Sequence, residues 1–275
     1  MKGLRGILIN LAAYAMLIMS FASAAQETRS IVIATTASAG GPSGPVFDHI
    51  DKQRLADRPG YRAELLLQAG ERCGVEIKFL LVPWKRALLL VEYGGADAAY
   101  SSSYKSERAV YGAYPMKDGL PDPERAVRGY FYQLFTLKQS DLKWDGKKIS
   151  GPRTRIAVER GSAGIDIVKR LGLKPLEFND EQQMLDMLVA KRVDGVVAIG
   201  GNVQSVIAFA PLLARQIKIL QPALKSKLGY LMFSKNFYFE HTALTECIWN
   251  AIGNIRQSAD YKALVQSYGV SGSNY

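Results

Sequence analysis

The stretch VEIKFLLVPWKRALLLVEYGGADAAYSSSYKSER, residues 75–108, decides the fold. Residues 76–82 are an apolar, β-prone run that reads as a strand. Pro83 then opens a helix. Over residues 84–93, Trp84, Ala87, Leu88 and Val91 recur at the spacing of one helical face. Gly94-Gly95 stops that helix, and residues 97–101 return to a short strand. A strand, a helix and a strand in such close succession predict parallel pairing under a helical cover.

The same alternation continues outward. Upstream, Ser30–Thr35 (SIVIAT) reads as a buried strand. A loop over 37–59 follows, rich in Gly and Pro. Residues 61–73 have helical periodicity and end at Gly74. Downstream, residues 154–158, Pro175–Phe178 and 193–198 read as strands, and 163–171 as a helix. Asn179 is placed to cap a further helix running to Arg192, with Gln182 as its reciprocal partner. Two aromatic-rich extended segments bracket this region, GYFYQLFTL at 129–137 and LGYLMFS at 228–234. The tail, 240–268, reads as helical with a break near Ala259.

Two βα-rich halves joined by two extended segments predict two lobes. The first lobe takes 26–132 together with 233–275, and the second takes 133–232. Clefts between lobes are favoured pockets, so a ligand is expected there. The fold class expected is α/β, each lobe a mostly parallel sheet flanked by helices.

Composition narrows the function. The chain has 275 residues, 48% apolar and 22% charged, values of a globular protein. Two histidines, His49 and His241, leave little for a metal site or a histidine-based catalytic centre, so no metal and no cofactor are expected. The net charge is +10 with a sequence pI near 9.5, which raises nucleic acid as a partner. A nucleic-acid footprint needs Lys and Arg clustered on one face. Here they scatter, with modest groups at 143–148 and 215–227, so no nucleic-acid partner is expected.

The N-terminus reads as an export signal. Lys2 and Arg5 precede an uncharged stretch, residues 6–25, that ends in Ala22-Ser23-Ala24-Ala25. Residues 1–25 are therefore expected to be a cleaved signal peptide, with the remaining chain a periplasmic, monomeric protein. Losing Lys2 and Arg5 lowers the charge from +10 to +8. Export permits a disulfide. Whether Cys73 and Cys247 pair or stay as two buried thiols is open from sequence.

Four motifs carry a resemblance. They are Gly60-Tyr61-x-x-Glu64-Leu65; Pro83-Trp84-x-Arg86 followed by Gly95-x-Asp97; Ser101-x-Ser103-x-x-x-Glu107-Arg108; and Leu188-x-x-x-Arg192-Val193-Asp194. In order and spacing they resemble the family 3 periplasmic solute-binding proteins across nearly the whole exported chain. The resemblance implies a two-lobed type II binding-protein fold that closes over a small solute. It implies an inner-membrane ABC permease or a sensor as partner. It assigns Arg108 to grip a ligand carboxylate, a role that suits the rigid guanidinium fork. Ser101 and Ser103 would bring hydroxyls, and Ser162, in the turn Arg160-Gly161-Ser162, would complete the carboxylate site. Trp84 matches an aromatic that stacks on the solute, although its helical face equally suits the core. Arg86 falls off that face, toward the cleft or toward water.

Two departures bear on the ligand. The family's acid that meets a ligand ammonium falls on Ile199, and nearby Asn202 offers a hydrogen bond without charge. Burying an ammonium unpaired is costly, so an anionic, carboxylate-bearing solute is expected rather than a standard α-amino acid. The first-lobe loop carries Gly44-Pro45-Val46-Phe47 where the family has an aromatic before Pro-Pro-Phe. A non-enzymatic binder is expected. The alternative is an enzyme on the same fold, a cyclohexadienyl dehydratase-like lyase. Glu159 is the acid to nominate for it, although strand alternation points that residue toward solvent.

Overall fold

The computed structural model describes residues 29–36, 55–208 and 210–270. The expected signal peptide and the Gly44–Phe47 loop motif lie outside them. In chain order the elements begin with β1 (Ser30–Thr35), α1 (Tyr61–Arg72), β2 (Glu76–Leu81), α2 (Trp84–Glu92) and β3 (Ala98–Ser103). Short strands β4 (Gly112–Ala113), β5 (Met116–Lys117) and β6 (Leu120–Pro121) and a 3-10 turn at Pro123–Arg125 lead to the long β7 (Arg128–Leu137). The hairpin β8 (Lys143–Trp144) and β9 (Ile149–Ser150) precedes β10 (Ile156–Glu159), α3 (Gly164–Arg170), β11 (Pro175–Phe178), α4 (Glu181–Val189) and β12 (Gly195–Ile199). Helices α5 (Gly200–Ala208) and α6 (Pro211–Ala214) follow, then β13 (Ile217–Ser234) and helices α7 (Lys235–Glu240), α8 (Thr242–Gln257) and α9 (Ala259–Ser267).

The main sheet runs β11-β10-β12-β7-β13-β3-β1-β2. Each half has the same plan. In the first, β1 lies between β2 and β3, parallel to both, and β13 closes antiparallel on β3. In the second, β10 lies parallel between β11 and β12, and β7 closes antiparallel on β12. The two closing strands pair with each other from Ile217↔Leu137 to Gly229↔Arg128, with a register break between Leu220 and Lys225. They run from one half into the other and carry the cleft between them.

Both faces are covered at the centre of each half, so β1, β10 and β12 read as largely apolar runs, while the edge strands β2 and β11 keep exposed polar residues. Ile31 and Ile33 pack under α1, α8 and α9, with Leu65, Ile248, Trp249 and Ile252. Ala34 faces the other way, onto Trp84, Leu88 and Val91 of α2. In the second half Ala157 and Val196 pack on Met184, Leu185 and Leu188 of α4, while Ile156, Val158 and Val197 pack on Ile167 and Val168 of α3. Cys73, just after α1, and Cys247 in α8 form a disulfide, which settles the pairing that the sequence left open.

Three local expectations are corrected. The cap of α4 is Asp180, whose Oδ1 accepts from the Gln183 N–H at 2.8 Å, while Gln183 Oε1 accepts from the Asn179 N–H at 3.1 Å. The cap thus falls one residue later than Asn179, and Gln183 returns its bond to the Asn179 N–H rather than to that of the cap, because Asp180 is the extended residue whose carboxylate reaches forward onto the first turn. Helix α4 also stops at Val189 rather than reaching Arg192, since Lys191 adopts φ 55°. Strand β13 begins eleven residues before the segment expected from its aromatic run, at Ile217. Its early part is polar because it is half exposed and paired on β7.

Candidate functional site

The cleft lies at the carboxyl ends of the strands of both halves, where open α/β sheets commonly receive ligands. It encloses about 510 Å³ of space, part of it continuous with solvent. Trp84, Ser101, Ser103 and Arg108 from the first half, and Ser162 and Asn202 from the second, all line it. Arg86 does not. It is exposed and faces a separate depression with Leu89, Tyr93 and Arg160.

Arg108 follows β3 and is 3% exposed. Its Nη1 donates to Ser103 O at 2.9 Å and Ser103 Oγ at 3.2 Å, and its Nη2 donates across the cleft to Gly161 O at 2.8 Å. A guanidinium has five N–H donors. These bonds take three of them and orient the remainder. The Cζ of Arg108 lies 5.6 Å from the Trp84 ring centroid, so Trp84 serves the cleft and the core together. Ser162 Oγ accepts from the Gly164 N–H at 3.2 Å, at the entry to α3.

Ser101 sits at φ 65°, in the left-handed region, within β3. Its Oγ accepts from Arg128 Nε at 2.6 Å. Gly229 of β13 passes beneath it, and a Cβ there would stand 2.6 Å from Ser101 Oγ. The register of β3 against β13 shifts just beyond, between Tyr230 and Met232. The twisted Ser101 backbone therefore aims its hydroxyl at Arg128 rather than along the strand.

Several cleft residues went unnoticed in the sequence. Arg62, the second residue of α1, is 7% exposed, and its Nε has no hydrogen-bond partner among the described residues. Its position with Leu65, Leu66 and Ala69 marks the apolar stripe of α1, and an arginine on that stripe was the available signal. Arg128 opens β7 and is 5% exposed. Burial and then the neighbouring Arg62 charge push its pKa down. Tyr100, Tyr130 and Tyr132 complete an aromatic wall, and the Tyr100 Oη is buried without a partner.

Glu159 is corrected outright. It ends β10 and points into the cleft, 9% exposed, with Oε1 unpartnered. Alternation misled because β10 is covered on both faces and its last residue meets the other lobe instead of water. Burial lifts the Glu159 pKa well above the ordinary glutamate range, Glu181 adds to this, and Arg108 opposes it. Glu181, the first residue of α4, is also raised by burial, and its Oε1 accepts from Asn202 Nδ2 at 2.8 Å. Ile199 lines the cleft as expected, yet a carboxyl is present after all, supplied by Glu159 from the adjacent strand.

The halves meet across this cleft. Besides the Arg108 to Gly161 bond, Lys105 Nζ pairs with Asp166 Oδ2 at 2.7 Å and with Glu107 Oε1 at 2.6 Å. Gly161, at φ 76°, lets Lys85 approach to 3.2 Å of where a Cβ would be. Among the described residues, no group of acidic, histidine and cysteine side chains is arranged to hold a metal, and no helix is long and apolar enough to cross a membrane.

No family profile and no curated protein matches this sequence. Solved structures do match in shape. An ArgBP variant from T. maritima superposes with a TM-score of 0.65 at 20% identity, covering 87% of this chain and 95% of that one. The amino acid ABC transporter substrate-binding protein AbpA from Streptococcus pneumoniae, bound to L-arginine, gives 0.66 at 16% identity, covering 87% and 94%. A histidine kinase sensor domain with similarity to periplasmic binding proteins gives 0.69 at 15% identity, covering 88% and 96%. At this identity the likeness speaks for shape, and the shape is plain: the chain has the two-lobed α/β fold of periplasmic binding proteins, with its cleft between the lobes.

Proposed function

We propose that this chain is an exported solute-binding protein of family 3, which captures a small carboxylate-bearing solute in the cleft and presents it to an ABC permease or a sensor. One observation carries the reading. Arg62 Nε, Tyr100 Oη and Glu159 Oε1 are buried polar atoms without partners among the described residues, and all three belong to cleft residues. Leaving such groups unmade costs about 1–3 kcal/mol each. A bound polar solute removes that cost. Arg108 would take the carboxylate with its spare donors, flanked by Ser103 and Ser162, and Trp84 would cover it. Shape neighbours that are a transporter component and a kinase sensor domain fit delivery or sensing equally. The division into 26–132 with 233–275, and 133–232, the signal peptide at 1–25, the periplasmic site and the monomeric state belong to the same proposal.

Glu159 favours one second reading, a lyase of the cyclohexadienyl dehydratase kind. A desolvated carboxyl that keeps its proton is suited to protonate a leaving hydroxyl as a general acid.

Native mass spectrometry of the purified protein, followed by chemical identification of whatever is released, tests both. The expected result is a small acid recovered unchanged and lost from Arg108→Gln. Recovery of a solute without an acidic group would sink the carboxylate assignment. Conversion of an added cyclohexadienyl acid to an aromatic product, abolished in Glu159→Gln, would replace binding by catalysis.

A further inference from the structure

We infer that Arg62, Tyr100 and Arg128 form a second anion-binding subsite in the cleft, so that the solute carries two acidic groups, one on Arg108 and one here. This rests on the proposed reading of the cleft as a carboxylate site.

The charge count is one-sided. Among the described residues, three arginines line the cleft against a single carboxyl, Glu159. Glu159 does not neutralise the first-half pair. It carries no hydrogen bond to Arg62 or Arg128, and burial favours its protonated form. Arg62 and Arg128 sit close enough that the charge of one disfavours that of the other. What they have instead of counter-ions, among the described residues, is weak. Arg62 Cζ lies 4.9 Å from the Tyr61 ring centroid and Arg128 Cζ lies 4.8 Å from that of Tyr130. Arg128 Nε donates to the neutral Ser101 hydroxyl. Cation–π contacts offset only part of the cost of desolvating a guanidinium.

The pair therefore awaits an anion. Tyr100 Oη offers a third donor, itself buried and unsatisfied, and it interacts electrostatically with Arg128. The strained Ser101 backbone and the close approach of Gly229 hold Arg128 in place. Such a rigid group of donors is built to receive an oxyanion rather than an apolar tail. Arg108 already reaches across the cleft to Gly161, so the two positions serve different ends of one solute.

Isothermal titration calorimetry at neutral pH tests this with linear dicarboxylates from malonate to pimelate, each against its own monoamide, and with L-glutamate against L-glutamine. In at least one pair the diacid should bind roughly 10–100-fold more tightly, the worth of a charged hydrogen-bonded contact. Arg62→Gln and Arg128→Gln should each shrink that ratio, weakening the diacid by more than its monoamide. Arg62→Lys should keep part of it. Melting curves without solute confirm that each variant is folded, and the diacid-to-monoamide ratio of the unaltered protein needs no variant. Equal affinity for diacid and monoamide, or equal weakening of both by Arg62→Gln, overturns the second subsite while leaving the carboxylate reading intact. Binding of neither member of any pair overturns the carboxylate reading itself, and the inference with it.

Discussion

Glu159 shows how a single side chain changes character with its surroundings. Its neighbours are Glu181 of α4 and its cap Asp180, Arg108 beyond β3, and Arg128, Tyr130 and Tyr132 from β7. Burial dominates and holds the proton on. The linkage has a definite sign. Below the ordinary glutamate range both folded and unfolded chains are protonated, and the stability is full. As pH rises, the unfolded chain gives up its proton first, so stability falls until the raised pKa of the folded state is passed. The melting temperature should therefore drop through this window, and Glu159→Gln should remove part of the drop. Glu181 is raised in the same direction and leaves a residual slope. An unchanged slope in Glu159→Gln would show that its carboxyl is not held protonated. Arg108 was legible because a motif announces it. Arg62 and Arg128 were not, since their meaning depends on which side chains lie opposite them, and only the meeting of α1, β3 and β7 decides that.

The element that most shapes the cleft is the crossing of β3 and β13. Ser101 at φ 65°, Gly229 beneath it and the register shift after Tyr230 act as one device. Gly229→Ala would place a Cβ 2.6 Å from Ser101 Oγ and 3.1 Å from Ser101 O, with backbone on one side and little room to yield. A cost of about 1–3 kcal/mol is expected from such overpacking, read as a lower urea midpoint. Solute affinity should fall with it, because Ser101 loses its hold on Arg128. A midpoint equal to that of the unaltered protein would show that the strands part without cost. Element identity was largely legible here, as in α2, where Pro83 precedes the first residue and the apolar stripe runs from Trp84 to Val91. Boundaries were less so. Asp180 and Asn179 are both competent caps, and backbone geometry chose between them.

At the scale of the molecule, two halves of like topology are held face to face by two paired strands and by contacts across the cleft. Lys105 bridges its own Glu107 and Asp166 of the other half, with 15% of its side chain exposed. A pair of this kind contributes about 0.2–1 kcal/mol and weakens in salt. Asp166→Asn should thus open the unliganded molecule, seen as a larger radius of gyration in solution scattering, and weaken solute binding by at most about fivefold. A variant as compact and as tight-binding as the parent would remove Lys105 from any part in closure. The sequence by itself determined the alternation of strands and helices and the two-part plan, because periodicity and glycine stops are local properties of a chain; that Arg108, Ser103 and Ser162 share one site was implied by the family resemblance. The tertiary structure alone decided the charge of the cleft. Arg62, Arg128, Tyr100 and Glu159 come from four separate elements, and burial sets whether each is a solvated surface group or an unmet partner for a ligand.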